Sequence, residues 1–449
     1  MFKRRLSRML AVMFAAALAA GMTGCLPDSR SISMPAVDLA GPRLLVIAPH
    51  PDDETVGVGG AVAMARQRGW AVTVVFVTSG DGFWAAVRKS GGPMPTPAQM
   101  QEYGRLRSAE ARKATAELGV PAADVVFLGF PDGSTHFLWQ HNWDPGSPLR
   151  GINGTTRVPY SFAMRPGAPY TGSELLSELQ AVIVRTKPTT VLLPDPADVH
   201  RDHWAVGAFA QTALVRTGYA GVQLTYLVHR SGFPGTTGLR PNLPLEAPLA
   251  LEKGPTKWLS LPLDDESIGA QQRALTMYAT QERADAWLID SFVRSNGLLG
   301  LNEASSLGTG TVELIQVHDR VYKGASRSAM IRRLDLSRNE SSATVGIRLS
   351  GAVSPDVSYE VHVRAIGPKG ALRFYDGAVQ HSVLTAIRYS TSNVRGSGGV
   401  VRAAGDSIVV RVPPELLTDA QWLLVSADTH EHNASADHAA WQLVRMLPR

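Results

Sequence analysis

Short apolar runs alternate with helical stretches through the first two thirds of the chain. "RLLVIAP" after Gly41 is continuous, rich in Leu, Val and Ile and too short for a helix, which predicts a strand buried on both faces. "WAVTVVFVT" predicts a second, breaking at Ser79-Gly80-Asp81-Gly82. "TPAQMQEYGRLRSAEARKATAELGV" predicts a helix, with Thr96-Pro97 at its start and Gly119 at its end. "DVVFLGFPDG" supplies a third strand and "SELLSELQAVIVRTKP" a helix stopped by its proline. "TTVLLPDP" is a fourth strand, followed by the helical "HWAVGAFAQTALVRTG". This alternation predicts an α/β fold, a mostly parallel sheet with helices on both faces. Such sheets bind ligands beyond the carboxyl ends of their strands. Three of these strands end in acid-bearing loops, at His50, at Asp81 and around Asp195, and a fourth polar loop follows Phe130.

From about Ser326 the pattern changes. "ATVGIRLSG", "VSYEVHVRAIG", "SIVVRVP", "QWLLVSAD" and "AWQLVRML" are short, several of them alternating, and separated by Gly, Pro, Asp and Ser. That spacing predicts a C-terminal antiparallel β-sandwich domain over residues 326–449. The α/β domain then runs over residues 41–325, and a length of 449 residues suits two domains.

The N-terminal segment has its own pattern. It opens with Lys3, Arg4, Arg5 and Arg8, continues with an apolar stretch from Met9 to Ala20, and reaches small residues before Cys25. The stretch is too short to span a bilayer comfortably and fits a secretory signal over residues 1–24. Gly24-Cys25 resembles a bacterial lipoprotein processing site, and Cys25 is the only cysteine, so neither an intramolecular disulfide nor a thiolate metal site is available. The expectation is a chain lipidated at Cys25 and held to the membrane by acyl chains. Leu26, rather than Asp, follows the cysteine and permits outer-membrane sorting if the envelope is Gram-negative. A soluble, secreted form is the alternative. "LPDSRSISMPAVDLA" has no strong period, so residues 25–40 read as a tether.

Charge excludes one class of partner. The formal net charge is +5, but removing the four basic residues of the leader lowers the 44 Lys and Arg to 40, against 39 acids. The remainder is near neutral and offers no global electrostatic case for nucleic acid.

The chemistry lies in two clusters. "APHPDDET" places His50, Asp52, Asp53 and Glu54 where the first strand should end. "LLPDPADVHRDHWAVG" places Asp195, Asp198, His200, Asp202 and His203 after the fourth. Imidazole and carboxylate donors suit a borderline ion such as Zn²⁺, and a hydrolytic site keeps one position for water. His50 and Asp53, three apart across a strand-to-helix turn, can point to a common centre, and His203 can complete a His-Asp-His set. Asp52 is then free to take a proton, and His200 is near enough to stabilise an oxyanion or protonate a leaving group. Either motif alone is weak, since a His-Pro-Asp turn can be a capped loop and HxxH recurs on helices. Their shared position at strand ends of one sheet raises the case for a metal site.

Together, "APHPDDETVGVGGA" and "DVHRDH" resemble the PIG-L family, also called LmbE-like, of zinc-dependent de-N-acetylases. The resemblance covers roughly residues 41–322 and includes "TSGDG", "RSAEARKATAELGV", "GFPDG" and "QQRALTMYATQ". It implies a Rossmann-like fold, one Zn²⁺ held by His50, Asp53 and His203, a general base at Asp52, and His200 steadying the tetrahedral intermediate. It further implies substrate contact by Arg107 and an acid at Asp132 near the sugar or the catalytic histidine. Arg201 departs from the proline often found between the motif histidines.

The expected activity is removal of acetyl from an N-acetylated amino sugar or glycoconjugate. Two other readings use the same residues. One is a carbohydrate-binding lipoprotein without catalysis, which would not need the unliganded Asp52. The other is a metal-dependent hydrolase of a different amide or ester. "GVGG" from Gly57 to Gly60 lacks dinucleotide spacing and follows acids that would repel phosphate, so close helix packing explains it better. "HFLWQHNWDPG" holds Phe137, Trp139, His141 and Trp143. Trp139 and Trp143 are candidate sugar-stacking residues, with packing of the loop as the alternative. "DTHEHNASADH", with His430, His432 and His438, reads as a solvated loop, and Arg165, His229 and Arg230 are weaker pocket candidates. The β-domain would position the chain on polymer or on a partner.

Overall fold

The computed structural model describes residues 32–91, 95–315, 324–339, 342–381, 383–390 and 402–448. The signal segment, Cys25 and the start of the tether lie outside the described residues. The first sheet contains β1 (Arg43–Ala48), β2 (Ala71–Thr78), β3 (Val125–Phe130), β4 (Thr190–Pro194), β5 (Val222–Tyr226), β6 (Thr256–Pro262) and β7 (Asn296–Asn302). Their order is β3-β2-β1-β4-β5-β7-β6. The first five are parallel, and β7 is antiparallel to both β5 and β6. The helices are α1 (Asp53–Gln67), α2 (Trp84–Gly91), α3 (Pro97–Glu117), α4 (Thr135–Gln140), α5 (Gly172–Thr186), α6 (Arg201–Arg216), α7 (Asp265–Thr276) and α8 (Ala279–Ile289).

Local chemistry explains the boundaries. Thr96 and Gln99 form a capping box ahead of Pro97, which opens α3. Strand order reverses between β1 and β4, so their two carboxyl-end loops flank one crevice. The glycines of α1 let it approach the sheet closely. A side chain at Gly57 would collide with the Tyr226 ring, and one at Gly60 with Leu263.

Residues 32–40, read above as part of a tether, are instead packed. Val37 N–H donates to the Ser260 carbonyl at 2.9 Å and Ser260 N–H to that of Pro35 at 3.0 Å. Ile32, Met34, Val37 and Leu39 lie on the apolar core. The segment is too short to show a period, yet the open edge of β6 offers it backbone partners.

The C-terminal strands are β8 (Ser305–Leu307), β9 (Gly310–Ile315), β10 (Ile331–Arg338), β11 (Ala343–Leu349), β12 (Val357–Ile366), β13 (Leu372–Gln380), β14 (Val383–Ser390), β15 (Arg402–Ala404), β16 (Ser407–Val412), β17 (Trp422–Glu431) and β18 (Ala434–Met446). They form two sheets, β15-β16-β11-β10-β9 and β14-β13-β12-β17-β18-β8. All pairings are antiparallel except β8 with β18. Alternate residues such as Leu334, Val345 and Val410 meet Val361, Val425 and Val444 in a shared core. β8 and β9 precede the compositional boundary at residue 326, yet they pair in these sheets.

The outer face of the six-stranded sheet packs on α4 and α6. Trp139 is fully buried, with ring centroids 4.8 Å from Phe209 and 5.3 Å from Trp441. Trp143 is buried 4.7 Å from Phe374. Both tryptophans therefore belong to the interdomain core, not to a sugar-stacking surface. Their segment is largely a helix that turns its apolar face to the β-domain, so the reading as substrate contacts is corrected. Burying side chains of this size contributes roughly 1.5–3 kcal/mol each.

A polar network sits at the same seam. Arg364 is buried among Trp139, Phe374 and Trp441 and donates to Asp376 Oδ1 at 2.6 Å. His362 lies between Asp376 (2.7 Å) and Asp428 (3.0 Å), and Gln140 Nε2 donates to Asp428 Oδ2 at 2.9 Å across the interface. His430 and His438, expected in a solvated loop, are on β17 and β18. His438 Nδ1 is 2.6 Å from Asp428 Oδ1, and its ring stacks on Trp204.

Burial alone would lower the His362 pKa, but Asp376 and Asp428 outweigh it and push it up to about 10. A raised folded-state pKa gives stability that is complete below the unfolded value of about 6.5 and is lost as pH climbs through 10. The unfolding midpoint of the wild type should therefore fall more steeply between pH 7 and 10 than that of His362→Gln. Parallel curves in thermal unfolding would contradict the assignment.

Candidate metal centre and active site

The two motifs meet at the crevice between β1 and β4. β1 ends at Ala48, and Pro49-His50-Pro51-Asp52 turns into α1. β4 ends at Pro194, and residues 195–200 lead into α6, whose N-cap is His200. Asp53 Oδ2 accepts the His50 backbone N–H at 2.8 Å and lies 3.1 Å from His50 Nδ1 and 3.2 Å from His203 Nε2. Three donors from two separate loops thus face one another. His200 closes the group, with its ring centroid 4.9 Å from that of His50 and 5.1 Å from that of His203.

Each imidazole is backed by carboxylate on its far side. His203 Nδ1 is 3.0 Å from Asp198 Oδ2. His50 Nε2 is 3.1 Å from both Asp132 Oδ1 and Asp202 Oδ2. Asp198 is itself held by the Val228 and His229 N–H groups, and Asp202 by Gly133 N–H, Thr135 N–H and the Thr135 hydroxyl. Carboxylate behind the remote nitrogen is the arrangement that orients metal-ligating histidines and fixes their tautomer. The inner nitrogens, His50 Nδ1 and His203 Nε2, are those turned toward Asp53.

Electrostatics agree with a cation site. Asp53, Asp132, Asp198 and Asp202 are buried together. Burial alone would keep His203 neutral, yet Asp198 and Asp53 drive its pKa up to about 10. His50 is likewise pushed well above its usual value against its own burial, chiefly by Asp132. Burial would raise Asp198, but His203 holds it down to about 2. An interior this rich in buried carboxylate calls for positive charge, and the borderline imidazole-carboxylate donor set fits a divalent ion. The sets whose donor atoms lie in mutual reach are His50, His200 and His203; Asp53, His203 and His229; and His50, Asp132 and Asp202.

Asp52 stands beside Asp53 in a strained conformation, φ 124° and ψ −32°. Such backbone costs on the order of 1–3 kcal/mol and persists where its surroundings impose it. Arg107 Nη2 donates to Asp52 Oδ2 at 2.9 Å and to the Pro51 carbonyl at 2.5 Å, while Nη1 donates to the Gly80 carbonyl at 3.2 Å. Glu54 Oε2 accepts the Asp52 N–H at 3.1 Å, and Glu54 Oε1 accepts the Tyr278 hydroxyl at 2.5 Å. Burial pushes the Asp52 carboxyl up to about 7, even with the Arg107 guanidinium opposing it.

His200 is a different kind of histidine. Its Nδ1 accepts the Asp202 N–H at 3.3 Å, so the neutral ring carries its proton on Nε2. Burial and the neighbouring histidines hold its pKa down to about 3, which keeps the ring neutral.

The cleft over these groups has about 960 Å³ of open space, and its walls include Phe83, Gly133, Val228, His229, Gln281 and Phe292. Arg107 and Asp132 line it; Arg107 also grips Asp52, and Asp132 also accepts Gly82 N–H at 2.9 Å. Four participants escaped assignment from sequence. Asp198 and Asp202 stood in the second motif without roles, His229 was a weak candidate, and Tyr278 was unmarked. The acids flanking the motif histidines and the stretch "QQRALTMYATQ" around Tyr278 were the available signals, because the partner of a carboxylate across the fold is invisible in a linear string.

Residues 45–214 match the family model for PIG-L, GlcNAc-PI de-N-acetylase. The chain is 32% identical over 163 residues to a 1D-myo-inositol 2-acetamido-2-deoxy-alpha-D-glucopyranoside deacetylase of Actinosynnema mirum, covering 35% of this chain and 48% of that protein. It is 29% identical over 188 residues to the protein of the same description in Tsukamurella paurometabola, covering 40% and 57%. The chain thus spans about half the length of these curated relatives. Among solved structures it resembles the N,N'-diacetylchitobiose deacetylase of Pyrococcus horikoshii, with TM-score 0.34 and 16% identity, covering 58% of this chain and 84% of that one. The chain contains a PIG-L family domain at residues 45–214.

Proposed function

We propose that the protein is a metal-dependent de-N-acetylase that hydrolyses the acetamide of an N-acetylated amino sugar or glycoconjugate. The observation that carries this reading is the pairing of carboxylate-backed imidazoles around Asp53 with a strained, unliganded Asp52 beside them. His50, Asp53 and His203 would hold the ion, with Zn²⁺ the expected species. When bound, it supplies Lewis acidity toward the acetamide carbonyl and lowers the pKa of water.

The chain's own groups do the rest. Asp52 is held through Oδ2 by Arg107, which leaves Oδ1 to accept the proton of the attacking water. Glu54 and Tyr278 fix the backbone of Asp52, so the carboxylate keeps its aim. His200 donates its Nε2 proton as a hydrogen bond to the carbonyl oxygen as negative charge develops there. The leaving amine is protonated as it departs by Asp52, which then carries the water proton. Asp132 at the cleft wall is available to sugar hydroxyls or to His50.

Lipidation at Cys25 would tether this activity to a bacterial envelope. Among the described residues no helix is long and apolar enough to cross a membrane.

Release of free amine from N-acetylglucosamine oligomers and related conjugates tests the reading. Chelation should reduce turnover at least 100-fold, and added Zn²⁺ should restore it. Metal bound with no amine released on a broad panel would favour a non-catalytic carbohydrate binder.

A further inference from the structure

A second hollow lies beside the catalytic cleft, on the seam between the domains. Its α/β side carries His136, Phe137, Arg201 and Trp204, and its β-domain side Glu360, Asp428, His430 and His438. It opens about 880 Å³ of space. The two hollows share their walls. Gly133 lines the cleft and His136 the seam; His200 lines the cleft while Val199 and Arg201 line the seam; His229 lines the cleft and Arg230 the seam. Neighbouring residues of one backbone thus face opposite ways in three separate segments. The same three segments thus border both hollows.

The lining has the chemistry of a sugar subsite. Phe137 is 40% exposed and offers an aromatic face. Trp204 and His438 stack to form the floor, with ring planes 20° apart. Glu360 and His430 present a partly exposed carboxylate and imidazole at the rim, suited to vicinal hydroxyls. His136 is only 5% exposed, yet its Nε2 has no hydrogen-bonding partner in the protein. His438 Nε2 is buried and likewise unpartnered. Buried polar atoms without partners are costly, and ligand hydroxyls reaching these two nitrogens would satisfy them. The polar lining disfavours an acyl chain.

We propose that this seam is a second saccharide-binding subsite and that the substrate is an extended glycan. One N-acetylated unit occupies the catalytic cleft while a neighbouring unit crosses the shared walls onto Phe137, Glu360 and His430. The inference rests on the de-N-acetylase reading for the cleft and assigns the β-domain a share in substrate recognition.

The test compares the N-acetylglucosamine monomer and tetramer on the full metal-loaded protein, in wild type, Phe137→Ala and Glu360→Gln. Wild-type kcat/KM should be at least tenfold higher for the tetramer. The variants should lose most of that gain while monomer turnover and the unfolding midpoint stay unchanged. Equal wild-type values for the two substrates, or variant losses equal on both, would overturn the subsite. Calorimetric binding of the tetramer to Asp52→Asn protein separates the two readings. Binding weakened at least fivefold by Phe137→Ala in that background supports the subsite even if no amine is ever released. Unchanged binding overturns it even where the monomer is deacetylated normally.

Discussion

Asp52→Asn should lower kcat by about 10²–10⁴-fold, the usual contribution of a positioned general base, while metal content stays at the wild-type level. The asparagine keeps the shape of the side chain and an oxygen that can accept from Arg107, so the turn held by Arg107 and Glu54 should survive. It cannot take a proton. Asp52 makes no contact with His50 Nδ1 or His203 Nε2 comparable to that of Asp53, so its substitution should leave the donor set intact. Steady-state kinetics and elemental analysis on the same preparation check both halves. Turnover within tenfold of wild type would remove Asp52 from its proposed role.

His203→Ala should lose both metal and activity, because it removes one of the three donors facing the common centre. A more discriminating variant is Asp198→Asn, which leaves every donor in place but takes the negative charge from behind His203 Nδ1. Loss of such a carboxylate typically weakens metal affinity 10–100-fold. Competition against a chelator should show that shift, and excess Zn²⁺ should recover most of the turnover of Asp198→Asn but none of that of His203→Ala. A His203→Ala protein that keeps its metal and full activity would refute the ligand set.

The roles of neighbouring acids separate by what each carboxylate touches. Asp53 faces two imidazoles, Asp52 faces a guanidinium, and Glu54 faces a tyrosine hydroxyl and a backbone N–H. The string "DDE" contains no such division. Spacing alone favoured Asp53 as a ligand, because three residues across a turn return a side chain toward His50. Arg107 lay in a recognised motif, but its grip on Asp52, Pro51 and Gly80 depends on α3 crossing the ends of β1 and β2. Trp139 and Trp143 show the opposite case. Aromatic residues in a polar stretch look like ligand contacts until the β-domain arrives to cover them.

Local patterning was enough for the alternation of strands and helices, the capping of α3, the existence of a β-rich C-terminal region and the placing of both motifs at strand ends. These depend on periodicity and on residues within a few positions of one another, which a linear string records. The edge pairing of residues 35–37 with β6, the recruitment of β8 and β9, and the carboxylates behind His50 and His203 all join segments distant in the chain. So does the seam where His136 and Trp204 meet Glu360 and His438. Such contacts are selected by which surfaces bury together, and that selection exists only once the two domains have packed.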